Sequence, residues 1–291
     1  LVGSEMCIRD STYTETENDL TVKANKRTFI FSKKDGQLKG VSVDNRKISF
    51  ANGPRFIGAR RADRSLDQFY NHDDEKAKEK DRTYSEFPDA AVFTKLDVKQ
   101  DGGDLVVTAN YKLGNLDKAQ WTINPSGDLA LDYTYNFSGV VDLMGIRFDY
   151  PEDQVISKRW LGAGPYRVWQ NRIHGTQYDV WENDYNDPIP GETFTYPEFK
   201  GYFGDVSWMN IQTKEGTISL TNETPDAYIG VYQPRDGRDR LLYTLPESGI
   251  SVLNVIPPVR NKVNSTDLCG PSSQPKWVNG PQTGRVIFRF M

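Results

Sequence analysis

Apolar and polar positions alternate with a period of two along most of this chain, in short runs separated by Gly, Asn, Asp and Pro. The stretch RTFIFSKKDGQLKGVSVDNRKISF (27–50) reads as strand, turn at Asp35-Gly36, strand, turn at Asp44-Asn45, strand. Asp-Gly between alternating runs is a strong hairpin signal, because its turn needs positive φ. The same pattern returns in FTKLDVKQDGGDLVVTANYKL (93–113), with Gly102-Gly103 at its tip, in AQWTINPSGDLALDYTYNFSG (119–139) and in VSWMNIQTKEGTISLTNE (206–223). GRVIFRF (284–290) reads as the closing strand. Strands recurring about every 8–12 residues predict an all-β class with a large antiparallel sandwich. No amphipathic helix of useful length and no fixed-period repeat is visible.

Two stretches break the rhythm. NHDDEKAKEKDRTYSEF (71–87) carries mixed-sign charge and reads as a solvated surface loop or one short helix. NDYNDPIPGETFTYPEF (183–199) reads as a long ordered loop rather than a linker, so a single domain is expected over residues 12–291.

At 291 residues the chain is long enough to bury roughly 75% of its unfolded surface. Its 36 basic and 40 acidic residues leave a net charge of −4, which argues against a nucleic-acid footprint or an anionic membrane surface. No apolar run is long enough for a membrane span. The first eleven residues, LVGSEMCIRDS, resemble a sequencing-adapter translation, and residues 1–11 are set aside as non-native. Cys7 goes with them and Cys269 is left alone, so no intrachain disulfide is expected. A lone Cys most often serves as a small buried hydrophobe.

Candidate chemistry is sparse. Glu182, Asp184, Asp187, Glu192 and Glu198 form one acidic stretch, but Pro and Gly interrupt it and nothing fixes the spacing that a glycosidase carboxylate pair requires. Asp184, Asn186 and Asp187 are hard oxygen donors that suit a structural Ca²⁺, Mg²⁺ or Na⁺, without the full loop spacing of an EF-hand. Two His and one Cys cannot supply a normal zinc site. His72 and His174 suit acid–base work on a free sugar, with ordinary surface roles as the plainer reading. P-loop, dinucleotide-binding, nucleophile-elbow and zincin motifs are all missing, and no cofactor is expected.

The densest stretch is WLGAGPYRVWQNRIHG (160–175). Gly162 and Gly164 permit tight turning, and Pro165 fixes φ and stops ladder donation. Trp160 and Trp169 flank the turn, and Arg167 and Arg172 are placed to fork onto Glu182 or Glu198. This reads as a buried corner bracing a long loop, with direct substrate contact as the second reading.

RWLGAGPYRVWQNR (159–172) resembles the WLG-x-GP-x-E-N-Y-x-D-R corner in the last β-sandwich domain of glycoside hydrolase family 2 β-galactosidases. Collinear similarities extend from about residue 20 to 290. ANKRTFIFSKKDGQLKGVSVDNRKISFANGPRF (24–56) is similar to that domain's opening hairpins, and RRADRS (60–65) to a segment carrying Arg60 and Asp63. YPEFKGYFGDVSW (196–208) is similar to a later strand start. LCGPSSQPKW (268–277) falls where the family has a Gly-rich loop ending in a sugar-facing Trp. Trp277 takes that place if a gap is allowed, and Gln274 without one. The chain departs from the family at Arg167-Val168-Trp169, where Glu-Asn-Tyr is usual, and at Asn171, where Asp is usual.

The resemblance implies a galactose mutarotase-like β-supersandwich that forms the C-terminal domain of a larger enzyme. Its partners would be upstream TIM-barrel and immunoglobulin-like domains and a β-galactoside or related glycan. The catalytic Glu pair of the family lies on the barrel, so no catalytic residue is expected here. Trp277, Gln274, Arg60 and Asp63 are the implied sugar-facing residues; Trp160, Gly162, Gly164, Pro165, Trp169, Arg172 and Glu198 are the implied corner. A periplasmic or extracellular location is expected rather than a cytoplasmic one. A stand-alone aldose 1-epimerase-like enzyme and a non-catalytic carbohydrate-binding module are the alternatives.

Overall fold

The computed structural model describes residues 11–61, 84–185, 201–231, 245–258 and 270–291. The chain opens with β1 (Thr12–Glu15), β2 (Asp19–Ala24), β3 (Arg27–Ser32), β4 (Leu38–Val43), β5 (Arg46–Ile48), β6 (Ala51–Arg61) and β7 (Tyr84–Glu86). β8 (Val92–Asp101), β9 (Asp104–Lys112), β10 (Leu116–Ile123) and β11 (Leu129–Val141) follow as a meander. β12 (Leu143–Asp149) precedes β13 (Val155–Gly164), β14 (Gln177–Asp184), β15 (Trp208–Thr213) and β16 (Gly216–Asn222). β17 (Tyr228–Val231), β18 (Ile250–Val255) and β19 (Lys276–Phe290) complete the described strands.

These strands form two antiparallel sheets, one of ten strands and one of nine. The first runs β1-β2-β3-β4-β6-β12-β18-β17, with β5 on β4 and β7 on β6. The second runs β14-β13-β15-β16-β19-β11-β10-β9-β8. Among the described residues the helical elements are two 3-10 turns, Glu152–Gln154 and Pro271–Ser273. None is long and apolar enough to cross a membrane.

Alternation translates directly into two faces. Ala119, Trp121 and Ile123 of β10 are buried, while Gln120 and Thr122 between them face outward. The turns follow their chemistry: Asp44 and Asn45 have φ of 49° and 64°, and Gly36 and Gly102 have 73° and 62°. Inner faces of both sheets meet over an aromatic hub, where Phe50 lies 4.7 Å from Phe148, 5.0 Å from Phe288 and 5.3 Å from Phe290 between ring centroids. A second cluster covers the outer face of the ten-stranded sheet, through Ile57, Ala59, Leu143 and Leu253, with Val168, Trp169 and Tyr202 laid over them. β6 and β12 are therefore buried on both sides.

Two elements differ from the alternation. Tyr84–Glu86, inside the stretch expected to be a solvated loop, pairs with Ala59–Arg61 as β7; residues 62–83 lie outside the described residues. The closing strand begins at Lys276 rather than Gly284. Gly280, Pro281 and Gly284 mask it in the sequence. Pro281 is accommodated because β19 pairs there with β11 on one side only, where its missing N–H costs no ladder bond.

Candidate functional site

β13 carries the corner toward one end of the sandwich. Trp160 is fully buried, its Nε1 donates to the carbonyl of Ala163 at 3.0 Å, and its ring meets Phe203 edge-on at 4.8 Å. Gly162 and Gly164 lie within β13, not in a turn, and neither has a left-handed φ, which corrects the turning role expected from sequence. Close approach is what requires them. A Cβ on Gly162 would stand 3.0 Å from the Gly204 carbonyl, and one on Gly164 would enter the Trp181 indole. Pro165 follows a cis peptide at the strand's end.

The chain then folds back over the ten-stranded sheet. Val168 and Tyr202 exchange both backbone hydrogen bonds, at 2.7 and 2.8 Å, and Trp169 meets Tyr202 edge-on at 5.6 Å. Trp169 is 1% exposed. The Arg167 guanidinium lies over the Phe203 ring, 5.5 Å from its centroid. Glu182 is exposed on β14 opposite Arg159 and forms no ion pair among the described residues, so neither Arg167 nor Arg172 is held by it. Glu198 lies outside the described residues.

This corner grips the segment that leads into β19. Gln170 donates its backbone N–H to the Pro257 carbonyl at 3.0 Å. Its side-chain Nε2 donates to the carbonyls of Ser272 at 2.9 Å and Gln274 at 2.7 Å. Asn171 Nδ2 adds a 3.3 Å bond to Ser273 Oγ. The Pro271–Ser273 turn is thereby fixed, Gln274 is half-buried, and three residues on Trp277 stands 71% exposed. Trp277 pairs with Val140 and Lys276 with Val141. The next residue, Asp142, accepts the Arg61 N–H at 2.8 Å through its carboxylate and donates its own N–H to the Ala59 carbonyl at 2.9 Å. Arg60 lies half-buried beside Arg61.

The Gln170 and Asn171 bonds thus place Gln274 beside the corner, Trp277 follows three residues on, and the Arg61–Asp142 bond brings Arg60 toward the start of the same strand pair. Asp63 lies outside the described residues, as do His72, Asn186, Asp187, Glu192 and Cys269. His174 and Asp184 are exposed, and among the described residues no three His, Cys, Asp or Glu side chains cluster as metal ligands. Tyr228 packs against the second cluster, and burial, reinforced by Asp205 and Asp226, pushes its phenol above the usual range and keeps it protonated. An exposed indole with fixed amides and a cationic neighbour can stack on a sugar ring and hydrogen-bond its hydroxyls.

Sequence reasoning passed over Gln170 and Asp142. Gln170 meets its partners 102 and 104 residues away, a link that no local motif encodes. Gln170→Ala is expected to strand two carbonyls at a cost of about 1–3 kcal/mol. Hydrogen exchange should quicken across 270–277 while the core strands keep their protection; unchanged exchange there would remove the clamp from the picture.

Residues 23–260 match the family model described as beta galactosidase small chain. No curated protein sequence matches the chain significantly. Among solved structures, a galactose 1-epimerase from Lactobacillus acidophilus aligns with a TM-score of 0.54 at 10% identity, covering 97% of this chain and 98% of that one. An aldose epimerase homologue from C. elegans aligns with a TM-score of 0.45 at 7% identity, over 97% and 99% of the two chains. At 10% identity the likeness to the galactose 1-epimerase is one of fold: a galactose mutarotase-like β-sandwich.

Proposed function

Because the chain belongs to the beta galactosidase small chain family, we propose that it is the accessory β-sandwich of a family 2 β-galactosidase-like glycoside hydrolase. In this reading residues 12–291 form one domain that packs beside a TIM barrel carrying the catalytic Glu pair. The domain lends Trp277, Gln274 and Arg60 to the carbohydrate-binding rim and performs no hydrolysis by itself. One observation carries the reading: Trp277 is left 71% exposed at the end of a segment that Gln170 clamps at two carbonyls. A large aromatic side chain so exposed on so constrained a backbone is organised for a ligand rather than for the core.

The chain by itself should not turn over nitrophenyl β-galactoside, and supplying the barrel-bearing part should bring activity. Turnover by the chain alone would overturn the reading. Mutarotation of α-galactose accelerated by the chain would replace it with an aldose 1-epimerase. In the complete enzyme Trp277→Ala should raise KM for nitrophenyl β-galactoside roughly 2–10-fold through lost stacking, with kcat and Tm nearly unchanged. An unchanged KM would exclude Trp277 from the rim.

A further inference from the structure

We infer that the outer face of the β11–β19 ribbon is an extended binding strip for neutral oligosaccharides, leading from Trp277 away from the rim. The inference rests on the reading of Trp277 as a sugar-facing residue and adds the length of the ligand.

The ribbon is set apart by its pairing. β16 meets β19 only from Val286 onward, and β10 meets β11 no further than Tyr135. Between these limits and the rim, Lys276–Pro281 of β19 and Asn136–Val141 of β11 have only each other as strand partners among the described residues. One face of this ribbon is occupied: Phe137 and Val141 belong to the core, and Val278 packs against it. By alternation the other face carries Trp277, Asn279, Pro281 and Thr283, all exposed, opposite Val140, Ser138, Asn136 and Thr134.

The chemistry of that face is selective. In a chain in which 26% of residues are charged, these eight positions hold no charge. They present an indole, a pyrrolidine ring, amides and hydroxyls, which matches neutral sugars with apolar ring faces and hydroxyl rims. Ser138 donates to Asn279 Oδ1 at 2.8 Å, which orients the amide and leaves its Nδ2, without a partner among the described residues, able to donate to a ligand. Asn136 is anchored likewise, its Nδ2 donating to Asp117 at 2.6 Å with Oδ1 left as an acceptor. The Asp117 carboxylate borders the strip at Asn136, and charge gathers at the far end, where Lys118, Asp132, Glu223 and Arg285 join Thr134 and Thr283 around a groove of about 310 Å³. Arg285 lies eight residues beyond Trp277, a run of about 27 Å at the rise of an extended strand, which is long enough for several linked sugar rings.

Calorimetric titration of the 291-residue chain with galactose, β-1,4-galactobiose and β-1,4-galactotetraose tests this. The tetraose should bind about tenfold more tightly than galactose, the equivalent of one or two added hydrogen bonds. The double variant Asn279→Ala/Thr283→Ala should lose that advantage at an unchanged Tm. Equal affinity for galactose and tetraose, or no tetraose binding at millimolar concentration, would overturn the strip. Self-association of the wild-type chain that the double variant abolishes would also overturn it, by making a second copy the occupant. The accessory-domain reading is judged separately. A chain that complements a barrel yet ignores sugar length loses the strip alone, whereas one that binds the tetraose along the strip and also hydrolyses nitrophenyl β-galactoside by itself loses the accessory reading alone.

Discussion

Replacing Phe148 with Ala is expected to lower stability by about 3–5 kcal/mol, the largest effect of any single substitution considered for this protein. Phe148 is fully buried and lies 4.7 Å from Phe50, 5.3 Å from Phe288 and 6.0 Å from Trp121 between centroids. Phe148 belongs to the ten-stranded sheet and Phe288 and Trp121 to the nine-stranded one, with Phe50 in the link between β5 and β6, so the ring belongs to the joint between the layers. Gly53 also packs directly against it, with no side chain that can move into the space. Phe288 and Trp121 are held by their own strands and Phe50 is packed against Phe288 and Phe290, so these rings cannot collapse inward far enough to fill the void, which places the cost in the upper range for Phe→Ala. For a chain of this size the loss corresponds to a fall in Tm of roughly 6–20 °C, measured by circular dichroism. Tyr178→Ala, at a side chain 59% exposed on β14, should stay within about 0.5 kcal/mol of wild type. Equal shifts for the two variants would show that the hub is not the sandwich's main joint.

The second large effect is expected from Gly201→Ala. Gly201 lies beneath the corner, where an added Cβ would run into the Val168 carbonyl and stand 2.7 Å from Trp169 Nε1. Its φ is not left-handed, so the penalty is steric rather than conformational. Val168 cannot back away cheaply, because Tyr202, the very next residue, holds it by two backbone hydrogen bonds of 2.7 and 2.8 Å. Overpacking of this kind costs about 1–3 kcal/mol, or roughly 2–12 °C in Tm. The displaced corner should also loosen the Gln170 clamp, so hydrogen exchange across 270–277 should rise beyond what the loss of global stability explains. Phe148→Ala should leave that segment no more labile than its overall destabilisation requires. If both variants raise exchange at 270–277 in proportion to their Tm, the corner and the turn are not mechanically linked.

Both predictions bear on how much of the protein is legible in its residues. The strands at 27–50, 93–113, 119–139 and 206–223 are visible because a period of two and turn residues such as Asp44, Asn45 and Gly102 act over a few positions. The all-β class follows from the same local information. The density of WLGAGPYRVWQNRIHG (160–175) is visible too, but not the reason for its glycines. Gly162 and Gly164 look like turn residues until Val206 and Trp181 are seen pressed against them.

What the residues alone determined about this protein was therefore short-range: which positions alternate, where the chain must turn, and which class of fold results. Tertiary structure alone decided that β19 runs beside β11 from Lys276, that Gln170 holds a turn 102 residues away, and that Trp277 emerges into solvent while Trp160 and Trp169 do not. Alternation states which face of a strand is apolar, but not what covers it. Cover is settled by partners far apart in the chain, and it is cover that separates a buried tryptophan from one left exposed for a ligand.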